Sequence, residues 1–187
     1  ALAAVAACSS TSASEPTTFQ PATKWDHRAE APAWTEASLN ALRSYGAPLL
    51  SMTPADAEAW CPGYETASLA EREAFWVGLL SALAEHESTW NPRAVGGGGK
   101  WFGLVQISPA TARGYGCEAG SADALKDGTK NLSCAIRIWA NTVSRDGVIA
   151  AGGRGVAADW GPFHQSSKRE AMKSWTRAQP YCQAHGA

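Results

Sequence analysis

Residues 68–88 read SLAEREAFWVGLLSALAEHES, and the rest of the chain is organised around how this stretch is read. Ser68 opens it with Glu71 three residues on, the spacing at which a hydroxyl and a carboxyl cap the free N–H groups of a helix start. No proline follows until Pro92, so the stretch predicts one long helix. At about 100° per residue Trp76, Leu80, Leu83 and Glu87 share one side, whereas Glu85 lies about 200° from Glu87. A carboxyl at the end of an apolar stripe loses hydration, which raises its pKa and favours the neutral acid. Glu87 is therefore the candidate general acid. The competing reading makes it a last-turn residue whose charge is met by Arg93 or a backbone amide.

Working outward, ASLNALRSYG reads as a short helix ending at Gly46, and Thr53-Pro54 opens another through Trp60. After the long helix, Asn91-Pro92 forces a turn, and Gly96–Gly99 forms a flexible tip before Lys100-Trp101-Phe102-Gly103, as a hairpin or irregular loop. GLVQIS reads as extended, and Ser108-Pro109 caps a helix through Arg113. Residues 121–145 read as one or two helices with Leu125, Leu132, Ile136 and Trp139 in the core, and KREAMKSWTRAQPYC supplies a last helix. The fold class is mainly α: a single helical domain over 36–187 with a small extended or hairpin segment. Residues 8–35, rich in Ser, Thr, Ala and Pro, read as a disordered tether.

The chain has 187 residues, 45% hydrophobic, the length of one domain with a full core. A net charge of -1 and the absence of a Lys/Arg run argue against a nucleic-acid partner. His27, His86, His164 and His185 lack metal-ligand spacing, and Gly96–Gly99 lacks the Lys-Ser/Thr ending of a phosphate loop, so neither metal nor cofactor is expected. Residues 1–7 of ALAAVAAC read as the remnant of an export signal, too short to span a bilayer. Val5-Ala6-Ala7-Cys8 resembles a bacterial lipobox, with Cys8 the lipidated residue. A plain export signal or an ordinary tail is the alternative.

Cys61, Cys117, Cys134 and Cys182 form an even set that reads as two disulfides with three possible connectivities, against reduced core thiols. Cys117 with Cys134 and Cys61 with Cys182 is the pairing expected, the first worth about 3 kcal/mol by loop entropy. Of nine tryptophans, Trp76 and Trp139 read as core, while Trp90, Trp101 and Trp160 flank the motifs described next and are candidates to line a cleft.

Glu87-Ser88, Asn91-Pro92 and Gly103-Leu104-Val105-Gln106-Ile107-Ser108-Pro109-Ala110-Thr111-Ala112 stand in the order and spacing of a known pattern. With them the chain resembles the soluble-lytic-transglycosylase domain family of the lysozyme-like superfamily. The resemblance implies a lysozyme-like α+β fold and peptidoglycan glycan strands as substrate. It implies Glu87 as catalytic acid/base, Ser88 supporting the substrate's N-acetyl group, and Val105 and Gln106 lining the sugar cleft. The family's third motif, an Ala-Tyr-Asn-x-Gly-Pro-like run, meets Ala157-Ala158-Asp159-Trp160-Gly161-Pro162 here, without the tyrosine. Tyr115 is the nearest substitute by chain position, and Asp159 and Trp160 join it as candidate substrate-binding residues.

Cleavage of the β-1,4 bond between N-acetylmuramic acid and N-acetylglucosamine with a 1,6-anhydro product is the implied reaction. The alternative is a hydrolytic muramidase or glucosaminidase using Asp159 as second carboxylate, including an antibacterial effector partnered by an inhibitor or immunity protein. A non-catalytic peptidoglycan-binding module fits less well, because it has no use for a carboxyl on an apolar face. The location expected is the periplasm of a Gram-negative bacterium, with outer-membrane anchoring through Cys8.

Overall fold

A computed structural model describes residues 20–183. Cys8, the expected signal remnant and His185 lie outside them. The described residues contain helices α1 (Ala31–Arg43), α2 (Ala47–Ser51), α3 (Ala57–Trp60) and α4 (Leu69–Ser88), then a hairpin of β1 (Val95–Gly96) and β2 (Trp101–Phe102). Helices α5 (Pro109–Gly114), α6 (Gly128–Asp146) and α7 (Ser166–Arg177) follow. The two strands pair antiparallel, Val95 opposite Phe102 and Gly96 opposite Trp101. This is a mainly helical, lysozyme-like architecture with one small hairpin. None of the described helices is long and apolar enough to cross a membrane.

The Ser68–Glu71 capping box is formed: Ser68 Oγ accepts from Glu71 N, and Glu71 Oε2 accepts from Ser68 N at 2.8 Å. Ser68→Ala is expected to cost about 1 kcal/mol, read as a lower urea midpoint at unchanged slope. A shift too small to measure would mean that packing alone sets the start of α4.

The single apolar stripe expected of α4 is not what forms. Every residue from Glu73 to Ala84 is buried, because α1, α2 and α7 pack around the helix and leave it no solvent face. Even Glu73 is inside, its carboxylate gripped by Arg43 Nε and Nη2 at 2.8 Å each. What separates Glu85 from Glu87 is therefore where each emerges as the helix leaves the core.

Residues 20–35, read as part of a tether, are packed into the domain. Trp25 and Trp34 are both buried, ring centroids 5.9 Å apart edge to face, and Trp25 Nε1 donates to Thr35 Oγ1 at 3.0 Å. Lys24 N donates to Ser81 Oγ on α4 and Tyr181 Oη to Ala22 O. Two indoles bury enough apolar surface to order a segment whose composition is otherwise tether-like. Helix α1 accordingly starts at Ala31, with Pro32 in its first turn, well before Ser38.

The helix expected from Thr53-Pro54 through Trp60 forms only as the short α3, and α2 lies ahead of Thr53. Between them Asp56 turns its carboxylate across the fold to accept the N–H groups of Ile149, Ala150 and Ala151 at 2.5, 3.0 and 2.9 Å. Asp127 caps α6 through Thr129 N and Lys130 N, and Leu125, Leu132, Ile136 and Trp139 are fully buried. Trp76, Trp139 and Trp160 meet in sequence at centroid spacings of 5.9 Å, which ties α4, α6 and the 160 region into one core. Both disulfides of the expected pairing are present, Cys61–Cys182 and Cys117–Cys134.

Candidate active site

The last turn of α4 presents three titratable side chains in succession, and their surroundings differ. Glu85 is paired with Lys24 Nζ at 2.5 Å. His86 has its pKa pushed down by burial, and its Nε2 is buried with no hydrogen-bond partner among the described residues. Glu87 makes no hydrogen bond or ion pair among the described residues. Burial raises its carboxyl to about 7, against the smaller opposing effect of the Lys168 ammonium on α7. A solvated glutamate would be fully ionised at that pH. Glu87 is the one of the three whose proton is loosely poised near neutrality.

The chain then reverses sharply. Thr89 and Trp90 both adopt left-handed backbone conformations, φ 51° and 54°, which non-glycine residues enter only when their surroundings hold them there. Thr89 N and Trp90 N cap the helix end at Glu85 O and Ala84 O. Trp90 folds back on α4, Nε1 donating to Ser81 O at 3.0 Å and its ring against His27, so it serves packing rather than a cleft.

Residues 103–106, expected to be extended, form a tight turn closed by a bridge between Phe102 and Ile107. Gly103 has φ 85° and Gln106 φ 52°. A Cβ at Gly103 would collide with Leu125 O and the Asn131 side chain, so glycine is required both by conformation and by space. Asn131, fully buried on α6, satisfies this turn: its Oδ1 accepts from Val105 N, and its Nδ2 donates to Phe102 O and Leu125 O, all at 3.0 Å.

The turn is laced to its neighbours on both sides. Ser88 Oγ donates to Leu104 O at 2.7 Å, and Trp160 Nε1 donates to Val105 O at 2.8 Å. Three segments far apart in sequence, the end of α4, the 103–106 turn and the 157–162 run, therefore share one hydrogen-bonded seam. Val105 and Trp160, expected against substrate, are in the core at 0% and 3% exposure. Gln106 uses its Nε2 on Gly103 O at 2.9 Å and Ala94 O at 3.3 Å, joining the turn to the hairpin. Of the tryptophans flanking the motifs, Trp101 on β2 is the exposed one.

Tyr115, just past α5, donates its Oη to Asp159 Oδ2 at 3.3 Å. Burial raises the phenol pKa, and the Asp159 charge raises it further. Nearby, Arg145 grips Asp146 through two bonds of 2.7 Å, and Asp146 accepts Gly155 N at 2.7 Å, which holds the Asp146 carboxyl well below the usual range. Gly155, φ 61°, has no room for a Cβ beside Val148 O and Ile149 O, so the loop leading to Asp159 is fixed from both ends.

Sequence reasoning missed Asn131 and Lys168. Asn131 gave little signal, standing among Thr129, Lys130 and Ser133. Lys168 gave none, being one of several basic residues on α7.

Comparison with known proteins bears on the family and the fold. Residues 66–159 match the family model described as the transglycosylase SLT domain. Three solved structures titled Bd0314 DslA are similar to the chain, the wild-type form 2 and two glutamate-to-glutamine mutants, each at 31% identity and covering 89% of this chain and 100% of theirs. Their TM-scores are 0.81 for one mutant and 0.80 for the other two structures. No curated protein matches. The family's residues span from the cap of α4 to the Tyr115–Asp159 pair, and the chain belongs to the transglycosylase SLT domain family, a lytic-transglycosylase-type enzyme of peptidoglycan.

Proposed function

We propose that the protein cleaves the β-1,4 bond between N-acetylmuramic acid and N-acetylglucosamine and releases a 1,6-anhydro product, with Glu87 as acid and then base. The observation that carries the reading is the Glu87 carboxyl, desolvated, free of a cationic partner in contact, and raised to about 7. A group poised near the working pH gives and takes a proton with comparable ease.

Protonated Glu87 donates its hydrogen to the O4 leaving oxygen of N-acetylglucosamine as the bond to the muramic C1 breaks. The substrate's own acetamido oxygen closes on C1 and stabilises the oxocarbenium-like centre, so no second carboxylate is needed. The muramic C6 hydroxyl then attacks C1, the acetamido group leaves, and ionised Glu87 removes the hydroxyl proton, which restores the acid. Ser88, whose hydrogen is committed to Leu104 O, supports this by fixing the turn beside Glu87. Gln106 fixes the hairpin in the same way.

Mass spectrometry of purified peptidoglycan digested by the wild type and by Glu87→Gln tests the reading. Anhydro-muropeptides from the wild type alone are expected. Reducing-end sugars would replace this reaction by hydrolysis and give Asp159, oriented by Tyr115, the role of second carboxylate. The Val5–Cys8 sequence supports a further proposal, export followed by lipidation of Cys8. The intact mass of the mature N-terminus checks it, and an unmodified Cys8 would remove the anchor.

A further inference from the structure

Of the nine tryptophans, Trp101 on β2 is the exposed one, 47% open to solvent, while the other eight are buried or half-buried. Its indole is nevertheless seated. Gly97, at the hairpin tip with φ 57°, lies against the ring: a Cβ there would fall 2.1 Å from Cε3 and from Cζ3 of the indole. Glycine at 97 is therefore required by space as well as by conformation. The six-membered ring rests on the tip backbone, and the remainder of the indole faces solvent.

A second group is gathered at the same place. Gly96 is the register partner of Trp101, and a Cβ at Gly96 would fall 2.2 Å from Gln106 Oε1. Gln106 Nε2 is committed to Gly103 O and Ala94 O, whereas no donor among the described residues bonds to Oε1. The two glycines thus let an indole and an amide oxygen with acceptor capacity to spare fold onto neighbouring positions of one short hairpin. Charge contributes little here. Lys100 is the single charged residue from Ala94 to Gln106, and no Asp or Glu stands between Glu87 and Glu118.

We propose that Trp101 is a specificity-determining residue that stacks on one N-acetylhexosamine ring, with Gln106 Oε1 accepting a hydrogen bond from that sugar and Gly97 acting as the positioning residue that seats the indole. An equatorially substituted pyranose shows a face of axial C–H groups, which suits an indole, and a hydroxyl or acetamido N–H at its edge, which suits a neutral acceptor. The platform holds the sugar by shape and stacking, without an ion pair. The inference rests on the proposed function, because the ring held at the hairpin belongs to the strand that Glu87 cuts.

Titration of the full-chain Glu87→Gln variant with tri-N-acetylchitotriose, an uncharged oligomer that this variant leaves intact, tests the platform by NMR of indole and side-chain amide groups. Saturable shifts of the Trp101 Nε1–H and the Gln106 amide are expected, with an affinity that does not change with salt. Trp101→Ala and Gly97→Ala, each added to that background, should bind about tenfold more weakly. Trp101→Phe should recover part of the loss, and the thermal midpoint of Trp101→Ala should stay close to that of its parent. If Gly97→Ala does not fold, the Trp101 pair decides. Equal binding by Trp101→Ala, or shifts confined to other parts of the chain, would overturn the proposal. So would binding that weakens steeply with salt, which would transfer the role to Lys100. In the active enzyme Trp101→Ala should raise KM for glycan more than it lowers kcat. Binding that depends on Trp101 in a protein that cuts no glycan would sink the proposed function and leave the platform standing, whereas cleavage with an unchanged KM in Trp101→Ala would do the reverse.

Discussion

Glu87→Gln lowers the rate of glycan cleavage by about 10²–10⁴-fold, the contribution of a positioned acid/base, and makes the protein more stable at alkaline pH. The second effect follows from linkage. The folded-state carboxyl is raised from 4.5 to about 7. Below the unfolded value both states hold the proton and Glu87 costs nothing. As pH rises the unfolded chain ionises first, so the folded state is progressively penalised, fully so above about 7. The span corresponds to about 3 kcal/mol. Glutamine carries no such penalty. The stability gap between variant and wild type should therefore be near zero at pH 4 and approach that figure at pH 8 in urea titrations. A gap independent of pH would mean that Glu87 is an ordinary surface carboxylate. In the active enzyme kcat/KM should fall as pH climbs through about 7, because the required acid is lost. Lys168→Gln removes the cation that opposes protonation and should carry that limb to higher pH.

Asn131→Ala has the second large effect. The residue is fully buried, and its removal strands Val105 N and Leu125 O in the core, leaves Phe102 O with Ile107 N alone, and opens a side-chain cavity. At about 1–3 kcal/mol for each of the two buried groups left unpaired, a loss of at least about 2 kcal/mol is expected. Activity should fall further than stability alone explains, because Leu104 and Val105 are the residues through which Ser88 and Trp160 hold the turn. Asn131→Asp keeps the acceptor for Val105 but sets oxygen against two carbonyls, and should be comparably damaging. A loss below about 1 kcal/mol in the alanine variant would show that the turn is shaped by the hairpin instead.

Much of this site was legible in the residue order, though partly for a different reason. The capping box set the start of α4, and Asn91-Pro92 after Ser88 set its end, so the position of Glu87 followed. The amphipathic stripe used to choose Glu87 over Glu85 does not exist, because neighbouring helices cover α4 on all sides. The difference is made by Lys24, which pairs with Glu85 and comes from the segment read as a tether. That segment was misjudged because local composition outweighs two indoles until their burial partners, far along the chain, are known. The GLVQIS stretch failed for a similar reason. Its β-branched and apolar residues favour extension locally, but the positive φ of Gly103 and Gln106 is imposed by an asparagine on another helix.

The burial of α4 on every side also divides the molecule mechanically. The helix cannot slide or tilt without displacing the cores of α1, α2 and α7 together, so Glu87 is a fixed datum at the end of a stiff beam. The hairpin is only two residue pairs long and is joined to the body by the Phe102–Ile107 bridge, by Asn131 Nδ2 on Phe102 O and by the Gln106 amide, a softer spring. Any closure around a sugar chain therefore falls to the hairpin as the moving jaw, with the exposed Trp101 on its leading edge, while the proton donor stays still.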